Sequence, residues 1–418
     1  MHDILSITLI GLALLALLGV VFEEVIHINK AKVTLLLGTL SWLILFINAG
    51  GQGEAANAII HGLNESLTEI SQLWLFLIAA MTFVAYLNKK GMIQNIIYWF
   101  LPKRMSERKL LFITGLFCFL FSSLADNITA TLVSVTLILS LKLPRRKLIR
   151  FAALVVFAVN SGGVALITGD VTTLMIFLAG KVSVVDLLVL SIPAFAGVTV
   201  LALILSRSMR GEVVISYTPS SARGVDVTIA AIFLLTILLT IFGNAIYQIP
   251  PVLTFLAGLA VMFMVARVFE DDSDDDPIFD YIRLVEFETL FFFLGILLLV
   301  GMLKEIGVLD NLLVVYQVLP VEGANFAMGM LSSVIDNVPL TAALLKSGLV
   351  MSEGQWLQLT YAVGVGGSLL VVGSAAGIVA MSKVPGLTFG RYLRQLLPLA
   401  IAYSVGFIAS GVVAAWWL

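Results

Sequence analysis

Apolar runs of membrane-spanning length recur along the whole chain, separated by short polar or basic stretches. Ile4 to Phe22, Val33 to Asn48 and Leu73 to Leu87 open the series. Val184 to Ser206, Val227 to Phe242, Pro251 to Phe269, Thr289 to Leu303 and Tyr392 to Trp417 continue it. A bilayer core takes about 20 apolar residues per helix, so the pattern predicts an all-α polytopic membrane protein. The first run lacks a basic flank and a small-residue cleavage site, and reads as a span rather than a leader. Met92 to Leu101, with Trp99, is too short to cross and predicts an interfacial helix. Val308 to Leu319 reads as a short amphipathic piece.

Two regions break the pattern with polar groups at their centres. Lys109 to Leu143 contains Ser122-Ser123-Leu124-Ala125-Asp126-Asn127, and Gly323 to Val350 contains Ser332-Ser333-Val334-Ile335-Asp336-Asn337. The second region is too short for two crossings, which need roughly 40 residues, so each is expected to be a re-entrant hairpin with Asp-Asn at its tip. The runs 148–180 and 355–382 are interrupted by Gly162-Gly163 and Gly169 in the first and Gly366-Gly367 and Gly373 in the second, and predict broken helices. Thr34 and Gly38 likewise match Thr254 and Gly258. Residues 1–217 and 222–418 therefore read as two repeats, one with an inner hairpin at 109–143 and the other with an outer hairpin at 323–350.

Charge gives the orientation. Placing the loops in this order puts all of the 24 Lys and Arg except Lys181, Lys304 and Lys346 on one side. The positive-inside rule then predicts five crossings per half and both termini outside. An odd number makes the second repeat inverted, and inverted repeats with glycine-broken segments in matching places are a secondary-transporter pattern. The polar segment Gly50 to Ile70, which has acids but no Lys or Arg, falls outside.

Three acids fall within the membrane: Asp126, Asp170 and Asp336. Intramembrane acids are functional candidates by default. No Lys, Arg or His is expected at their depth, so each must be protonated, hydrogen-bonded to backbone donors or neutralised by a mobile cation. Hard ligands surround them in sequence: Asn127, Thr129, Asn160, Ser161, Thr172, Thr173, Ser332, Ser333, Asn337, Ser368 and Ser374. Oxygen-only ligation suits an alkali or alkaline-earth ion, with Asp126, Asn127, Asp170, Asp336 and Asn337 as the expected metal ligands. Helix capping by Asp126 and Asp336 is the alternative and can coexist with ion binding. The repeat sets Ser374 opposite Asp170, which adds a charge to one half only.

Other features carry less. Of 418 residues 60% are hydrophobic and 12% charged; the formal net charge of −2 says nothing about partners, since the sidedness of the charge is what matters, and no nucleic-acid partner is expected. Cys118, the single cysteine, excludes an intrachain disulfide framework and reads as a packing residue. Asp271-Asp272-Ser273-Asp274-Asp275 fits the DDxxD pattern of intramembrane prenyl transferases but has no second aspartate-rich partner, which favours a solvated loop. Glu23, Glu24 and His27 fit either a pH-sensing cluster or a plain interfacial loop.

The motifs Ser122 to Thr129, Asn160-Ser161-Gly162-Gly163, Thr168-Gly169-Asp170-Val171-Thr172-Thr173 and Ser332 to Asn337 resemble those of the NhaD-type sodium/proton antiporters of the ion transporter superfamily. The resemblance runs from about Ile4 to Trp417. It implies exchange of Na⁺ or Li⁺ for H⁺ at the intramembrane aspartates, no cofactor, a bacterial inner-membrane location, and a homodimer with a fixed scaffold and a moving transport domain. Superfamily relatives that carry dicarboxylates place Ser-Asn-Thr at the hairpin tips. Aspartate at both tips argues here against an anion, although arsenite or an anion stays an alternative cargo.

Overall fold

The computed structural model describes residues 2–21, 23–50, 53–93, 95, 104–141, 143–214, 223–269 and 281–418. The expected interfacial helix at Met92 to Leu101 and the Asp271–Asp275 cluster lie largely or wholly outside these residues.

The chain is nearly all helical. In its first half, α1 (His2–Val21), the single turn α2 (Glu23–Ile26), α3 (Lys30–Asn48) and α4 (Glu54–Lys89) precede the first hairpin, made by α5 (Glu107–Leu124) and α6 (Asn127–Ser140). The broken pair α7 (Arg145–Gly163) and α8 (Val171–Leu178) follows, then α9 (Val184–Ser206). In the second half come α10 (Gly224–Tyr247), α11 (Pro251–Phe269), α12 (Phe287–Glu305) and the short α13 (Leu312–Val318). The second hairpin is α14 (Val321–Ser332) and α15 (Asn337–Lys346). The second broken pair, α16 (Glu353–Gly366) and α17 (Ala375–Lys383), the short α18 (Phe389–Leu393) and α19 (Leu396–Trp417) complete the chain.

Two details differ from the expectation. The polar segment Gly50 to Ile70 largely continues the third span: α4 is one helix of 36 residues, about 54 Å long. Its polar first half keeps i to i−4 bonding because the sequence holds helix formers there and no proline. An antiparallel ribbon, β1 (Arg104–Ser106) on β2 (Glu212–Val214), ties the foot of the first hairpin to the segment after α9.

The helices sort into two bodies. One holds α1, α3, α4, α10, α11 and α12; the other holds both hairpins, both broken pairs, α9 and α19. The bodies meet chiefly where α12 packs on α15 and α9 on α10. Within each body the halves are used alike. α3 packs on α12 as α11 packs on α4, α5 on α7 as α14 on α16, and α6 on α17 as α15 on α8.

The glycines explain the closest of these approaches. A methyl on Gly162 would overlap the Phe119 carbonyl, and one on Gly366 the Gly329 carbonyl. At Gly169 and Gly373 it would strike the Ser122 and Ser333 carbonyls. Each broken helix therefore lies backbone to backbone against the first arm of its own hairpin. The three lysines that broke the charge rule are locally matched. Lys304 pairs with Glu65 and Lys346 with Glu69, while Lys181 lies over the Trp356 ring.

Candidate ion-binding site

Four helix N-termini meet at one cavity of about 90 Å³. Each begins with a side chain that accepts from its own first turn, as the sequence allows for Asp and Ser at a cap. Asp126 caps α6, with Oδ1 accepting from the Ile128 and Thr129 amides and Oδ2 from Thr129 Oγ1 at 2.7 Å. Asp336 caps α15 through the Val338 amide, and Asp170 caps α8 through the Thr172 amide. Ser374 caps α17 through the Gly377 amide. Capping by Asp126 and Asp336, set out above as the alternative, is thus present at both tips and extends to Asp170.

The two hairpin tips converge on Asp170. Asn127 Nδ2 donates to its Oδ2 at 2.9 Å, and Asn337 Nδ2 donates to the same oxygen at 3.0 Å. Asn127 is oriented in turn by Ser122 Oγ, which donates to its Oδ1. The unwound segment before α8 is pinned to the first hairpin by Thr168 Oγ1, which donates to the Ser123 carbonyl at 2.6 Å. Sequence reasoning passed over this hydroxyl.

Asp126, Asn127, Asp170, Asp336, Asn337 and Ser374 all line the cavity. The aspartates are spread along its wall: among the described residues no three acidic, His or Cys side chains close on one point. Thr129 acts through Asp126. Asn160, Ser161, Thr172 and Thr173 are buried behind the wall. Asn160 Nδ2 donates to Ser374 Oγ, and Thr173 Oγ1 to the Gly163 carbonyl. Among the described residues Asn160 Oδ1, Ser161 Oγ and Thr172 Oγ1 are buried polar atoms with no protein partner. Oxygens left so in a packed interior are costly unless something else satisfies them. Ser332, Ser333 and Ser368 spend their hydroxyls on the carbonyls of Val363, Met330 and Val365 and do not line the cavity.

The expectation that no fixed cation reaches the acids is overturned. Lys30, which falls between the first two apolar runs of the sequence, is the first residue of α3, and its side chain lines the cavity. Its Nζ lies 3.7 Å from Asp336 Oδ2 and 4.6 Å from the centroid of the Phe292 ring. A lysine stem of four methylenes lets a residue at a helix end carry charge well into a site, which a residue-by-residue depth estimate ignores. Glu23, weighed above as a pH sensor, uses Oε1 to accept the Lys30 backbone N–H at 3.0 Å.

Paired hairpins and paired broken helices around a buried carboxylate cavity define a secondary-transporter fold. The chain belongs to the citrate transporter family (CitMHS), whose profile matches residues 4–366, and within it to the NhaD type. The Na⁺/H⁺ antiporter NhaD of Vibrio cholerae is 31% identical over 93% of this chain and 88% of its own length. That of Alkalimonas amylolytica is 30% identical over 99% and 92%. The crystal structure of the Alcanivorax borkumensis YdaH transporter shares the fold, with a TM-score of 0.53, 14% identity and 99% of each chain covered. These relatives are transporters rather than enzymes, which removes the prenyl transferase alternative.

Proposed function

We propose that this protein exchanges Na⁺ or Li⁺ for H⁺ across a bacterial inner membrane, with both termini outside and two inverted repeats, 1–217 and 222–418, forming a homodimer's subunit. The observation that carries the reading is the meeting of Asn127 and Asn337 on one buried carboxylate oxygen of Asp170. An amide can turn either its NH₂ or its carbonyl toward one point. The two asparagines can therefore donate to the ionised carboxylate in one state and ligate a cation beside it in another. A proton and a sodium ion compete for the same oxygens, so exchange needs no second pathway. Asp126 and Asp336 add charge along the cavity. The orphaned oxygens of Asn160, Ser161 and Thr172 supply further acceptors for water or ion behind Asp170.

The family's description as citrate transporters makes an anion the second reading. Helix N-termini attract anions, and four meet here. Three of them already face a fixed carboxylate, and among the described residues Lys30 is the one cation lining the cavity, so the lining carries excess negative charge that repels a citrate. The test is Na⁺-driven dissipation of a proton gradient in everted vesicles, for wild type and Asp170→Asn. Response to Na⁺ and Li⁺ in wild type, lost in the variant, is expected. A folded wild type that moves no protons with Na⁺ overturns the reading and makes citrate and arsenite uptake the next assays.

A further inference from the structure

We propose that Lys30 is a competitor built into the site: its ammonium holds Asp336 until Na⁺ takes that carboxylate, and so sets the Na⁺ concentration at which the site loads. The inference rests on the sodium/proton reading above and adds a specificity-determining residue to it.

Lys30 is poorly explained by its own helix. A cation in the first turn opposes the helix macrodipole. The backbone around it is firmly held: Glu23 accepts the Lys30 amide, Asn29 caps the Ala31 amide, and Asn29 Nδ2 donates to Glu288 at 2.7 Å. The anchored backbone sends the side chain across the boundary between the two bodies to Asp336. There Oδ1 is taken by the Val338 amide, and Oδ2 faces the ammonium.

The pairing is built to be exchangeable. Lys147 reaches Glu107 at 2.6 Å, Lys304 reaches Glu65 at 2.9 Å and Lys346 reaches Glu69 at 2.8 Å, all hydrogen-bonding distances. Lys30 stands at 3.7 Å, beyond a hydrogen bond, steadied by charge and by the Phe292 face. A smaller cation that accepts direct ligation by the same carboxylate has a route to displace it. The arrangement also has no twin. The match of Thr34 and Gly38 to Thr254 and Gly258 sets Pro250 opposite Lys30, and among the described residues only the Asp336 tip has a lysine at the cavity.

The experiment compares half-saturating Na⁺ at fixed pH for wild type, Lys30→Gln and Lys30→Arg in everted vesicles. Lys30→Gln is expected to lower it by about tenfold, the scale of a typical coupling between two sites, while Lys30→Arg stays near wild type. An unchanged or raised value in Lys30→Gln overturns the proposal, since a merely structural lysine would not sharpen Na⁺ affinity. A second measurement uses wild type alone: labelling of Lys30 by an amine-reactive reagent, read by mass spectrometry, in Na⁺ and in choline. Faster labelling in Na⁺ supports displacement, and equal or slower labelling overturns it even if Lys30→Gln does not fold. A wild type that moves no protons with Na⁺ removes the sodium reading itself. Exchange that persists with unmoved affinity and flat labelling removes only the role of Lys30.

Discussion

Asn337 Nδ2 lies 3.0 Å from Asp170 Oδ2, a hydrogen bond between residues 167 positions apart that joins the second hairpin to the first broken helix. Asn127 supplies a second donor to the same oxygen from the first hairpin. A hydrogen bond to a charged group contributes about 1.5–3 kcal/mol. Asn337→Ala is therefore expected to lower Na⁺-dependent exchange by tenfold or more. Because Asn127 and Asn337 share one acceptor, Asn127→Ala with Asn337→Ala should be non-additive, with a coupling energy of about 0.5–3 kcal/mol. Rates for the two single variants and the double variant in vesicles measure it.

Asp126 both caps α6 and lines the cavity, and two substitutions separate these roles. Asp126→Asn keeps an acceptor for the Ile128 and Thr129 amides and removes the charge. Asp126→Ala removes both, at a cost of about 1 kcal/mol in stability. Thermal unfolding in detergent is expected to fall for Ala only, while exchange falls in both. Equal exchange in Asp126→Asn and wild type would leave Asp126 a cap alone.

Gly162→Ala and Gly366→Ala each push a methyl into a carbonyl of the adjoining hairpin arm. Overpacking of this kind typically costs about 1–3 kcal/mol and more where backbone must yield. Both variants are expected to melt several degrees lower or to accumulate poorly. Gly390→Ala, where the added methyl meets open space, serves as the control and should match wild type.

Glu286 sits at the N-cap of α12, just ahead of that span. Burial first, and the nearby Asp126 carboxylate second, push its pKa above the ordinary glutamate value; Glu288 adds to the rise and the Thr289 hydroxyl opposes it. Below the ordinary value Glu286 is neutral whether the chain is folded or not. As pH climbs from there through the raised value, the unfolded chain gives up this proton more readily, and folded stability declines. Glu286→Gln removes that decline. The melting temperature of the variant relative to wild type is expected to grow with pH over this window, and a constant difference would contradict it.

The fold was largely legible because bilayer physics leaves so few options. Apolar length marked the spans, and the shortness of the 323–350 region forced a hairpin. The glycines at 162, 169, 366 and 373 stood at matching places in the two halves, and their packing role became plain only when they met hairpin carbonyls. The site was legible as a set of residue types but not as a set of neighbours. Asp126, Asp170 and Asp336 stood out by their cost in an apolar run. Nothing in the spacing showed that Ser332 and Ser368 turn their hydroxyls onto carbonyls. Lys30 was hidden for the opposite reason: it lies in a basic stretch between two apolar runs, at the very start of α3, and only the reach of its side chain brings it to Asp336.

Four helix N-termini end at the cavity, and a helix accepts Ser, Asn or Asp at its cap with nearly the same stability. Exchanging Asp for either of the other two alters the electric charge of the chamber by a whole unit and leaves the backbone where it was. The main chain alone presents positive poles to whatever enters, and the caps Asp126, Asp170 and Asp336 reverse that sign while Ser374 leaves it. The charge that this chamber presents is thus set by a few replaceable side chains rather than by the path of the backbone.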